Sequence, residues 1–132
     1  LAAQAMEANA PDEGGERGVI VNTASVAAYD GQIGQAAYGA SKAGVVGLTL
    51  PAARELARIG VRVMTIAPGI FETPMVAGFT PGPRRRSRRR VPFPGRSGKP
   101  EKFGAWGEHI VLTPWLTGEV SRPDGALRRG PK

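Results

Sequence analysis

The chain contains no cysteine and a single histidine, His109. Without thiols there is no disulfide framework, no thiolate metal site and no cysteine nucleophile. One imidazole cannot build a multi-histidine metal cage, so no metal is expected. No apolar run approaches the roughly 20 residues that span a bilayer, and no basic-then-apolar signal sequence is seen. These absences lead to the expectation of a cytoplasmic protein without a membrane partner. Charge is sparse as well: 22% of residues are charged, too few for a solvated disordered chain.

What is there suits one globular domain. The chain has 132 residues, the length of a single core, and 41% of them are apolar. The net charge of +7 first suggests a polyanion partner, but six of the 18 basic residues lie in one run, Arg84 to Arg90. Outside that run 12 basic residues face 11 acidic ones, so the basicity is local and nucleic acid is not the expected partner.

Residues 18–24, Gly-Val-Ile-Val-Asn-Thr-Ala, form a short β-branched apolar run after a polar turn, which reads as a buried strand. Its near-continuous hydrophobicity fits a parallel sheet covered on both faces. A small-residue loop, 25–34, follows. From Ala36 to Ile59, apolar residues Ala40, Ala43, Val46, Leu50, Ala53, Leu56 and Ala57 recur at three- and four-residue steps. That spacing predicts an amphipathic helix closed by Gly60, with Pro51 bending it or removing one hydrogen bond. Residues 61–67 read as a second buried strand halted by Pro68-Gly69, and Thr73-Pro74 as a helix opening. Residues 100–113 read as a helix and 118–120 as the start of a last strand. Alternating strands and helices make an α/β protein. With Leu1 to Ala8 helical and about half of the elements of a doubly wound parallel sheet missing, the sequence is expected to be the second half of such a domain.

The chemistry centres on Tyr38-Gly-Ala-Ser-Lys42. Residues four apart share a helix face, so the Lys42 ammonium can approach the Tyr38 phenol. A free phenol, with a pKa of about 10, is a poor proton donor or acceptor at neutral pH, and a neighbouring cation favours its ionised form. Ser25 stands thirteen residues before Tyr38, at the carboxyl end of the first strand, where open α/β sheets bind ligands.

Asn22-Thr-Ala-Ser25, Tyr38-Gly-Ala-Ser-Lys42 and Ala67-Pro-Gly-Ile-Phe-Glu-Thr-Pro74 together resemble the second half of the short-chain dehydrogenase/reductase family, in order and spacing. Residues 23–32, 34–42, 91–94 and 118–126 resemble its branch of 3-hydroxyacyl-CoA and 17β-hydroxysteroid dehydrogenases. The resemblance implies the Rossmann-type fold and an oxidoreductase acting on a secondary alcohol or ketone such as a 3-hydroxyacyl-CoA. It implies NAD as cofactor, with NADP left open, and a homo-oligomer, dimer or tetramer, at full length. Ser25 would orient the substrate carbonyl, and Tyr38 would be the general acid/base. Lys42 would favour the phenolate and hold the nicotinamide ribose. Pro68, Gly69, Phe71 and Thr73 would line the nicotinamide, and Gln32 could touch substrate. The family's glycine-rich turn, which seats the pyrophosphate on a helix amino end, is not in this chain. Neither is the acidic residue that selects NAD over NADP, nor the tetrad asparagine.

The segment 76–90 departs from the resemblance, which implies a substrate-covering helix and loop with apolar periodicity there. Three readings of Arg84-Arg-Arg-Ser-Arg-Arg-Arg90 stay open: a polyanion-binding patch, a solvated loop, and a stretch of shifted reading frame that keeps the length but loses the chemistry. Two further alternatives accompany the dehydrogenase reading: a catalytically silent chain with a basic loop, and an epimerase or dehydratase that reuses serine, tyrosine and lysine. Trp106 and Trp115 are expected to pack, and His109 to be structural or on the surface.

Overall fold

The computed structural model describes residues 1–73 and 90–131. The proposed helix opening at Thr73-Pro74, beyond Thr73 itself, and the arginine run up to residue 89 lie outside them. Helix α1 (Ala2–Glu7) leads through a polar turn to strand β1 (Gly18–Thr23). A 3-10 turn over Val26–Ala28 precedes helix α2 (Ala36–Leu56), which a second 3-10 turn extends over Ala57–Ile59. Strand β2 (Val61–Ile66), helix α3 (Pro100–Leu112) and strand β3 (Val120–Ser121) follow. The described strands form one parallel sheet in the order β1-β2-β3, with Gly18 opposite Val61, Thr23 opposite Ile66 and Ile66 opposite Ser121. Among the described residues, no helix is long and apolar enough to cross a membrane.

β2 is central and buried along its whole length. Its side chains alternate between faces, as a strand requires. Met64 and Ile66 join Ile110 of α3 in the core, with Val19, Val21, Phe103, Trp106 and Leu116 packed around them. On the opposite face Thr65 meets Thr49 of α2 through their hydroxyls at 2.6 Å, and Thr49 also donates to the Val45 carbonyl. β1, apolar enough for an interior position, is an edge strand of the described sheet and only half-buried.

α2 corrects the expected amphipathic pattern. Of the residues that the spacing places on one face, Ala53 is buried and Val46 and Leu56 are half-buried, but Ala40, Ala43, Leu50 and Ala57 are exposed, while Thr49 is buried and Val45 and Ala52 half-buried outside that set. The helix carries apolar residues all round, so periodicity alone does not choose the side that meets the sheet. That side carries the buried hydroxyl pair beside Ala53. Pro51 leaves the helix continuous; without an N–H it costs one hydrogen bond on the exposed side. Trp115 also departs from expectation: its side chain is exposed, while Trp106 packs, donates to Ser121 Oγ at 2.7 Å and stacks on His109.

Gly60 ends the helical segment as the spacing requires. Its φ is +72°, and a Cβ there would stand 2.3 Å from the Gly15 carbonyl oxygen. Gly60→Ala therefore combines a left-handed backbone with a clash against main chain. It is expected to lower stability by about 1–3 kcal/mol in urea unfolding, and an unchanged midpoint would contradict this placement.

Candidate active site

The site is assembled where β1, β2 and α2 meet. Ser25 follows β1 in extended conformation and is buried. It caps the 3-10 turn, its Oγ accepting from the Ala27 N–H at 3.1 Å. Ala24 N–H donates to the Ile66 carbonyl, and Val26 N–H to the Pro68 carbonyl, so the residues on both sides of Ser25 are tied to the end of β2. The start of α2 lies close to the same turn: a Cβ on Gly39 would stand 3.2 Å from the Ala27 carbonyl oxygen. Glycine beside Tyr38 lets the helix approach the segment that carries Ser25.

Tyr38 sits in the first turn of α2, half exposed, and Lys42 one turn later. Lys42 Nζ donates to the Thr23 carbonyl at 2.9 Å and stands 5.9 Å from the centre of the Tyr38 ring. The expected tyrosine-lysine approach is thus present, and the ammonium also reaches the last residue of β1. An ammonium has three donors, so the Thr23 contact leaves capacity toward a ligand. The fit for a nicotinamide ribose rests on this donor set beside a half-exposed phenol.

Pro68 and Gly69 close this corner from β2. Gly69 N–H donates to the Pro123 carbonyl at 3.2 Å, and a Cβ on Gly69 would stand 2.8 Å from the Asp124 Cα. Phe71, expected at the cofactor, packs its ring edge-on against Phe103 and pairs by a backbone bridge with Gly98. Thr73 is exposed at the limit of the described stretch. Gln32, expected at the substrate, has its amide occupied: Nε2 donates to the Gly130 carbonyl and Oε1 accepts from Arg129. It also lines a hollow of about 530 Å³ together with Ile33, Gly34 and Ala40.

Three features escaped the sequence reading. Arg62 is buried within β2 and binds Glu16 through both carboxylate oxygens and the carbonyls of Ile110, Val111, Thr113 and Leu116. A lone charge inside an otherwise apolar strand was the available signal. Asp124, which lies within the segment 118–126 that carries the resemblance, accepts from Arg122, Arg128 and Ala126 N–H. Arg122 itself lies over the Tyr29 ring.

The chain matches the short chain dehydrogenase family over residues 2–83. It is 54% identical to the human protein named 3-hydroxyacyl-CoA dehydrogenase type-2 over 131 residues, covering 99% of this chain and 50% of that one. With the Drosophila melanogaster protein of the same name the identity is 56%, over 99% and 51% of the two chains. The crystal structure of 3-hydroxyacyl-CoA dehydrogenase type-2 from Mycobacterium avium superposes with a TM-score of 0.96 at 46% identity, covering all of this chain and 51% of that one. The chain thus spans about half the length of the relatives it matches. By the family match, the identities and the superposition, the chain belongs to the short chain dehydrogenase family, on the branch of the type-2 3-hydroxyacyl-CoA dehydrogenases.

Proposed function

We propose that this chain contributes the acid/base half of an oxidoreductase that interconverts a secondary alcohol and a ketone, with 3-hydroxyacyl-CoA and 3-ketoacyl-CoA as the substrate class. NAD, or NADP in its place, supplies the hydride chemistry when bound. The observation that carries the proposal is the Lys42 ammonium, held by the Thr23 carbonyl and facing the Tyr38 ring one helical turn away. Tyr38 gives its phenolic proton to the ketone oxygen in reduction and takes it back in oxidation. Lys42 steadies the negative charge left on the phenol and offers its remaining donors to the ribose. Ser25 is held in place by its cap on the 3-10 turn and hydrogen-bonds the same substrate oxygen. Pro68 and Gly69 form the wall beside the nicotinamide. Acyl-CoA as substrate rests on the names of the relatives. Assembly as a dimer or tetramer belongs to the same proposal.

Two measurements bear on it. The isolated 132-residue chain, which carries no glycine-rich pyrophosphate turn, is expected to bind NADH only weakly or not at all. A fluorescence titration giving micromolar affinity would contradict that division of labour. Catalysis is tested in a chimera in which residues 1–131 replace the matching half of the human relative, assayed by NADH oxidation with acetoacetyl-CoA. Turnover is expected. A folded chimera that binds NADH but never reduces acetoacetyl-CoA would overturn the substrate class.

A further inference from the structure

Resting on this reading of the site, we propose that Arg122 is a positioning residue whose guanidinium fixes the loop that carries Ser25 onto the C-terminal segment. Arg122 Nη2 donates to Asp30 Oδ2 at 2.9 Å, while its Nε donates to Asp124 Oδ2 at 3.1 Å. Its Cζ lies 4.5 Å from the centre of the Tyr29 ring. All three charged side chains are largely buried, with exposures of 21% for Arg122, 17% for Asp30 and 6% for Asp124.

The two carboxylates belong to different parts of the site. Tyr29 and Asp30 end the turn that Ser25 caps. Asp124 lies against Gly69, leaving no room there for a Cβ, and neighbouring Pro123 accepts from the Gly69 N–H. One guanidinium therefore couples the serine loop to the Pro68-Gly69 wall. A second hold lies further along the same loop, where Ile33 N–H donates to the Pro131 carbonyl and Gln32 binds Gly130 and Arg129. The planar fork of arginine serves two carboxylates and a ring face together. An ammonium at this place keeps the charge but lacks the planar fork that meets both carboxylates in fixed directions while stacking on the ring.

The test is amide hydrogen exchange on the 132-residue chain, read by peptide, beside its melting temperature. Arg122→Lys is expected to melt close to the parent yet to raise exchange over residues 26–35 about tenfold, with 61–66 unchanged. Asp30→Asn, which leaves the Arg122–Asp124 pair in place, is expected to loosen the same residues. Exchange that rises evenly through β1 and β2 as the melting temperature falls would make Arg122 a merely structural residue and overturn the proposal. Parent-like exchange over 26–35 in both variants would overturn it too. Because neither readout requires turnover, failure of the catalytic assignment and failure of this inference are separate results.

Discussion

Tyr38→Phe in the active chimera is expected to lower kcat by about 10²–10⁴-fold, with little change in KM or in NADH affinity. The substitution removes one hydroxyl and nothing else. The ring stays in the first turn of α2, and Lys42 keeps its bond to the Thr23 carbonyl and its position over the ring. Ser25 keeps its cap on the turn. The lost interaction is therefore one made in the transition state, when the proton moves, and such losses appear in kcat. In energy this is about 3–5 kcal/mol, more than one ground-state hydrogen bond contributes. A variant retaining more than a tenth of the parent rate would remove Tyr38 from the acid/base role and favour a proton donor elsewhere.

The second large effect concerns folding. Arg62→Met is expected to destabilise the chain by about 3–5 kcal/mol, measured as the shift in urea unfolding free energy. Arg62 is buried, and its partner Glu16 is mostly so. Removing the cation leaves a carboxylate in poor contact with water. It also takes the arginine donors from the carbonyl of Val111, in the last turn of α3, and from that of Leu116 in the turn that follows the helix. Domains of this size hold only about 5–15 kcal/mol in total, so the loss is a large share of the stability. Arg62→Met with Glu16→Gln should recover part of the loss, because the second change removes the stranded charge. A single variant within 1 kcal/mol of the parent would show that water reaches these groups.

The parts of this structure that were legible in the sequence share a local cause. β2 was readable because a seven-residue run, β-branched or apolar at every position but Arg62, ends at Pro-Gly, and the strand closes one residue short of that reading, at Ile66. The tyrosine-lysine approach was readable because helical spacing alone sets it. The buried side of α2 was not. Ala40, Ala43 and Leu50 are as apolar as the residues that face the sheet, and the side that meets it carries the buried hydroxyl pair of Thr49 and Thr65 beside Ala53. For Gln32 the resemblance implies that it could touch substrate, and its partners within the chain are a separate matter. Its partners come from about 98 residues away in the chain, a separation no local pattern reveals. The same holds for Arg122 with Asp30, 92 residues apart.

In the proposed reaction, hydride reaches the 3-keto carbon of an acyl-CoA at this site. The most direct measurement is label transfer from NADH carrying deuterium at both C4 positions to acetoacetyl-CoA, in the chimera carrying residues 1–131 of this chain. The account predicts 3-hydroxybutyryl-CoA with deuterium on C3, and loss of that product in Tyr38→Phe. Unlabelled product, or labelled product formed equally well by the phenylalanine variant, would contradict it.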